Sequence, residues 1–132
     1  MERRDLKIGR WNVEFYFAVD GYDADELFER LFELGAGAKT LNQAMDLMES
    51  GKENTGFTFS NPYDYVALIA IGPVSDSAEF INTLTHEVYH LAVAIASELG
   101  VDLEGESPAY LVGDSMNKLA DTICRIGCPS CN

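Results

Sequence analysis

Basic residues are scarce in this 132-residue chain, which has nine Lys and Arg against 22 Asp and Glu and a net charge of −13. An excess of negative charge this large repels phosphate, so binding to nucleic acid or to an anionic membrane surface is not expected. The chain has no run of eighteen apolar residues, so a transmembrane helix is not expected either. The charged N-terminal segment lacks the apolar stretch of a secretory signal, which favours a cytoplasmic protein.

Cysteine is equally scarce, and Cys124, Cys128 and Cys131 all lie in the last nine residues. An odd number clustered at one end does not form a disulfide framework. Three thiols also fall short of the four ligands of a structural zinc site, unless a partner chain or solvent supplies the fourth. We therefore predict one domain over residues 1–123 and a cysteine-containing tail without an assigned role over residues 124–132.

Apolar residues are plentiful at 47%, which is enough for a hydrophobic core. Alternating apolar residues predict a strand over 11–19, and residues 55–71 predict a hairpin whose second strand is buried on both faces. Helical spacing predicts four helices, at about 24–34, 40–51, 77–99 and 108–126. The predicted fold is α+β, in the order β-α-α-β-β-α-α. Its small antiparallel or mixed sheet has about three strands and packs against the four helices.

The only two histidines of the chain occur together in the segment His86–His90, which has the HExxH pattern. Residues four apart project from the same face of a helix, so His86 and His90 can converge on one Zn²⁺. Glu87 lies about 100° around the helix and can act as a general base on a zinc-bound water. An apolar stripe from Phe80 to Leu99 occupies the opposite side, which predicts that the histidines line a cleft.

A third zinc ligand has to be an acid downstream of His90, because no histidine remains. Asp102, Glu104, Glu106 and Asp114 are available, and we favour Glu106. It stands sixteen residues after His90 and begins the next predicted helix, which can turn back against the first. Asp114 lies two turns further on, where it can orient a histidine from outside the metal shell. The alternative for Glu106 is that it only complements the helix dipole.

The combination of His86–His90 with the segment Glu106–Leu111 resembles the gluzincin type of zinc metallopeptidase. It is similar, more narrowly, to small and mostly uncharacterised zincin-like proteins of phages and gut bacteria. The resemblance implies a minimal zincin core of a sheet, an HExxH helix and a helix that bears the third ligand. It also implies an edge strand that pairs with an extended peptide substrate, for which Thr55, Gly56 and Phe57 are the candidate residues.

Two functional hypotheses follow for this sequence. The first is a zinc-dependent metallopeptidase-like hydrolase, in which His86, His90 and Glu106 bind Zn²⁺ and Glu87 activates the water. The second is a catalytically inactive, zincin-shaped structural or interaction protein of a phage or mobile element. A metal-independent helical adaptor is a third and weaker hypothesis. The chain lacks the large downstream subdomain of typical gluzincins. Tyr89 and Tyr110 are the only candidates for stabilising an oxyanion, and core packing is the role that we favour for both.

Overall fold

Four strands form one mixed sheet in the computed structural model, which describes residues 1–127. They are β1 (Glu2–Ile8), β2 (Trp11–Phe17), β3 (Gly56–Asn61) and β4 (Val66–Ile71). The order across the sheet is β1-β2-β4-β3. The central pair β2 and β4 is parallel, and both outer pairs are antiparallel. Both β1 and β3 are therefore edge strands.

Five α-helices accompany the sheet within residues 1–127. They are α1 (Ala24–Glu33), α2 (Ala38–Ser50), α3 (Ser77–Leu99), α4 (Glu106–Lys118) and α5 (Ala120–Gly127), and a 3-10 turn at Gly21–Asp23 precedes α1. None of the helices in the described part of the chain has the length and apolar character needed to cross a bilayer. The α+β class and the predicted hairpin are confirmed.

Two parts of the predicted element order are wrong. The sheet has four strands rather than about three, because β1 pairs with β2 through a turn at Gly9, where φ is +59°. Charged residues occupy five of the seven positions of β1, as is common where an edge strand faces solvent, and they hide the period-two pattern of burial along the strand. The single helix expected over 108–126 is two helices, α4 and α5. They meet at Leu119, whose side chain is fully buried.

The sheet separates two apolar cores, because alternate residues of each central strand point to opposite faces. On one face Val13, Phe15 and Phe17 of β2 pack with α3, Leu119 and part of α5. On the other face Tyr16 and Leu68 pack with α1 and α2. β4 is buried on both faces, as the continuous apolar run predicts. Helices thus cover both faces of the sheet, whereas its two edges stay unpaired among the described residues.

Helix α3 is defined at both ends by specific residues. Oδ1 of Asp76 accepts a hydrogen bond of 2.8 Å from the backbone N–H of Glu79, and Gly100 ends the helix with a left-handed φ of +72°. The predicted apolar stripe is buried at Phe80, Leu84, Val88, Leu91 and Ile95. Leu99, the last member predicted, is instead 57% exposed. The buried stripe fixes the rotation of α3 and therefore the direction of the HExxH segment.

Candidate metal centre

His86 and His90 lie on the exposed side of α3 with their rings turned toward each other. Their Nε2 atoms are 3.1 Å apart and their ring centroids 4.7 Å apart. Two nitrogens bound tetrahedrally to one Zn²⁺ at about 2.0–2.1 Å stand about 3.3–3.4 Å apart. The pair therefore fits two positions of a zinc shell. The same separation also suits a hydrogen bond between two neutral rings, with one nitrogen donating and the other accepting.

Among the three residues that define the HExxH pattern, Glu87 is the buried one, with only 6% of its surface exposed. The rotation of about 100° per residue places it between the exposed His86 and the buried Val88. Strand β3 covers it there, and Oγ1 of Thr58 donates a hydrogen bond of 2.9 Å to its Oε1. Its Oε2 has no hydrogen bond among the described residues and is not sealed from solvent. The carboxylate is therefore anchored at one oxygen and accessible at the other.

A cleft runs along the seam between α3 and the edge strand β3. It consists of two adjoining hollows of about 310 Å³ and 490 Å³, and Gly56, His86 and Glu87 line both. The other lining residues are mostly polar and uncharged, and they include Asn54, Thr55, Gln43, Ser60 and Asn82. The cleft is large enough for side chains of an extended peptide, and its lining includes both histidines and the glutamate of the motif.

The predicted strand residues have different surroundings. Gly56 lies directly against Glu87, and Thr55 lines the cleft while its hydroxyl donates to the carbonyl of Lys52 at 3.0 Å. Phe57 packs mainly into the core on the far face of the sheet. This difference follows from the alternation of side chains along β3, which turns residues 56, 58 and 60 toward α3.

The structure does not bring the expected third ligand to the histidine pair. Within residues 1–127, no group of three or more His, Cys, Asp or Glu residues is arranged so that it could hold a metal ion. Glu106 is exposed at the first turn of α4, and Glu104 is exposed in the preceding loop. Asp114 forms an ion pair of 3.0 Å with Lys118 instead of contacting a histidine. The donor set present thus accounts for two ligands of a zinc ion and leaves the third to be supplied.

The remaining candidates contribute little to this cleft. Tyr89 and Tyr110 are 52% and 72% exposed, which contradicts the core packing favoured for them. Cys124 is an exposed free thiol within α5, although the sequence assigned it to the tail. Cys128 and Cys131 lie outside the described residues.

Thr58 is the site residue that the sequence analysis missed. The alternation along β3 contained the signal, because Gly56, Thr58 and Ser60 share one face of the strand. The pairing of that face with α3, however, depends on the tertiary structure.

Comparison of the chain with protein-family models, with curated proteins and with solved structures gives no match. Its function is therefore inferred from the residues of the site.

Proposed function

We propose that this protein is a zinc-dependent hydrolase of the metallopeptidase type, in which His86 and His90 bind Zn²⁺ and Glu87 is the general base. One observation carries the proposal. Two imidazole nitrogens stand 3.1 Å apart, and both histidines line the same hollow as the nearly buried Glu87. A surface histidine pair without such a neighbour would carry no implication of hydrolysis.

The chemistry expected of each group follows from its type. A Zn²⁺ ion held by the histidines would polarise a peptide carbonyl and acidify water beside it. Glu87 takes up a proton from that water as the new C–O bond forms, and it delivers the proton to the amine nitrogen as the C–N bond breaks. The proton thus passes from water to the departing amine, and the carboxylate of Glu87 is regenerated.

Glu106 is our proposal for the third ligand, on the strength of the segment Glu106–Leu111. Its carboxylate has no hydrogen bond or ion pair within residues 1–127, so no competing partner has to be displaced. It is not grouped with the histidines, and zinc binding therefore requires the start of α4 to approach them. Glu104, two residues earlier, is the matched alternative because it is equally exposed.

Strand β3 is the proposed binding edge for an extended peptide. It is paired on one side only, with β4, and its free side borders the cleft. Backbone N–H and C=O groups of an edge strand can pair with an added chain. No Lys or Arg occurs between residues 53 and 117, so no basic side chain of the α3–α4 region would repel a cationic peptide.

The proposal predicts stoichiometric zinc binding that depends on the two histidines. We expect His86→Ala and His90→Ala each to lower zinc affinity at least about 100-fold, because a two-ligand remnant is a poor site. Glu87→Gln keeps the affinity within a few-fold and abolishes hydrolysis of fluorogenic peptides. Glu106→Gln lowers the affinity about 10–100-fold, and Glu104→Gln does not. Competition with a chromogenic chelator measures the zinc affinity of the wild type and of all five variants.

Absence of zinc from the wild-type protein at micromolar free metal would overturn the proposal. Equal losses in Glu104→Gln and Glu106→Gln would reject Glu106 as the ligand but leave the histidine pair intact. Zinc binding without hydrolysis of any peptide would favour the second candidate, a zincin-shaped binding protein. The observation that favours this second candidate is that no third ligand is grouped with the histidines among residues 1–127.

A further inference from the structure

We propose that Thr58 is a positioning residue that holds the carboxylate of Glu87 against the edge strand, with Gly56 leaving the space in which that carboxylate lies. The inference rests on the proposed function for the role of Glu87 as a base. It adds a second element, strand β3, to the machinery that the motif on α3 predicts. The hydrogen bond, the packing at Gly56 and the anchoring of β3 support it separately.

The hydrogen bond from Thr58 involves only one of the two carboxylate oxygens of Glu87. Oγ1 of Thr58 is 2.9 Å from Oε1, and this is the only hydrogen bond that the carboxylate receives from residues 1–127. Oε2 receives no hydrogen bond from these residues, and it is not sealed from solvent. A glutamate side chain has three rotatable bonds, so an unanchored carboxylate would be spread over several positions. One anchored oxygen therefore limits the positions that the other can occupy.

Gly56 supplies the space for this arrangement. A β-carbon at position 56 would stand 2.7 Å from Cγ, 3.2 Å from Cδ and 3.1 Å from Oε2 of Glu87. The separation of 2.7 Å is shorter than two non-bonded carbon atoms tolerate and the other two are tight, so any larger residue would displace the Glu87 side chain. The atoms that it would meet belong to a side chain rather than to backbone. We therefore expect the base to move while the fold is kept.

The start of β3 is itself held firmly by the loop before α3. The backbone N–H of Asn54 donates to the carbonyl of Pro73 at 2.8 Å, and the N–H of Gly72 donates to the carbonyl of Thr55 at 2.9 Å. The side chain of Asn54 also exchanges hydrogen bonds with Ser75. Gly56 and Thr58 are thus carried by a strand fixed at its entry, which is what preorganisation of a catalytic group requires.

The hydroxyl of Thr58 has a second acceptor, the backbone carbonyl of Glu87 at 3.2 Å. Its single hydrogen therefore lies between two acceptors that both belong to Glu87, and the shorter contact is the one to the carboxylate. One hydroxyl of β3 thus contacts both the side chain and the backbone of the proposed base.

The test measures the side-chain conformation of Glu87 directly, without metal or substrate. In protein labelled with ¹³C-glutamate, three-bond couplings report whether the first side-chain torsion occupies one rotamer or several. We expect one rotamer in the wild type, averaging in Thr58→Val, and one rotamer again in Thr58→Ser. Gly56→Ala should change the rotamer. Ser60→Ala and Gly113→Ala are the matched controls, since Ser60 makes no bond to Glu87 and a β-carbon at Gly113 meets nothing within 4 Å.

A second measurement links the conformation to the proposed chemistry. Zinc affinity in Thr58→Val should remain within about two-fold of the wild type, because Glu87 is not a ligand. The visible spectrum of the Co²⁺-substituted Thr58→Val protein should shift toward that of Glu87→Gln, and Thr58→Ser should restore it. For any peptide that the wild type cleaves, Thr58→Val should lower kcat about ten-fold or more while KM stays nearly unchanged.

The outcomes separate the two proposals. Identical Glu87 couplings in Thr58→Val and the wild type would overturn the positioning role, as would a Thr58→Ser protein that behaves like Thr58→Val. Failure of the wild type to bind zinc would overturn the proposed function, and the metal-free couplings would still decide whether Thr58 holds the carboxylate.

Discussion

Glu14 is a buried charge whose surroundings are built entirely from neighbouring side chains. It lies on β2 with 7% of its surface exposed. Nη2 of Arg30 is 2.7 Å from its Oε2, the hydroxyl of Tyr16 donates to its Oε1 at 2.8 Å, and Nη2 of Arg3 is 3.0 Å from Oε1. Both carboxylate oxygens have donors, and these contacts offset the cost of burying the charge.

These contacts set the direction of two pKa shifts. Burial by itself raises the pKa of Glu14, but the hydrogen bonds from Arg30 and Tyr16 outweigh burial and hold the pKa below its ordinary value of 4.5. Burial raises the pKa of Tyr16, and its hydrogen bond to Glu14 raises it further, so the phenol stays a donor. A carboxyl with a lowered folded-state pKa stabilises the protein above pH 4.5, and that contribution is lost as the pH falls further.

At the residue scale we therefore predict that Glu14→Gln lowers the free energy of unfolding by about 2 kcal/mol at pH 7. The figure lies below that for a fully buried pair, because Arg30 keeps a third of its side chain in solvent. Urea titrations at pH 7 and pH 3 should show the difference shrinking in acid. Glu33→Gln is the control, since its carboxylate also pairs with Arg30 but is 61% exposed. A difference that grows in acid would contradict the assignment.

At the scale of elements, α3 depends on the residue that begins it. The carboxylate of Asp76 satisfies an N–H that the helix cannot pair internally. Asp76→Ala should lower the free energy of unfolding by about 1 kcal/mol. Ser77→Ala, whose hydroxyl makes no hydrogen bond within residues 1–127, should have a much smaller effect. Thermal unfolding followed by circular dichroism compares the two, and equal losses would show that the cap is unimportant.

The helices and strands also differ in how well the sequence predicts them. α3 was predicted with its correct ends, because Asp76, Gly100 and the apolar stripe are local signals of one helix. The end of α4 was not, because the apolar pattern continues past Leu119, the residue at which α4 gives way to α5 and which is buried in the same core as α3. Strand β1 was missed because its pairing with β2 stabilises it, whereas its own charged pattern indicates little. Local periodicity therefore predicts α3, whereas the end of α4 and the strand β1 depend on contacts with other elements.

At the scale of the whole molecule, two apolar cores share one sheet. Leu31 of α1 belongs to one core and Leu84 of α3 to the other, and both are essentially fully buried. Leu31→Ala and Leu84→Ala should each cost about 2–5 kcal/mol. Because β2 and β4 are common to both cores, each variant should unfold in a single transition. Fluorescence of Trp11 and far-UV circular dichroism should then coincide, and separated transitions would show that the two faces unfold independently.

The sequence alone determined the histidine pair of the candidate site. A helix with 3.6 residues per turn puts His86 and His90 on one face and Glu87 beside them, whatever surrounds the helix. Only the tertiary structure decided that β3 covers Glu87, that Thr58 donates a hydrogen bond to it while Gly56 lies against it, and that Glu106 is not grouped with the histidines. The reason is that spacing within a helix is fixed by backbone geometry. Contacts between elements depend instead on loop paths and on how two cores pack against one sheet.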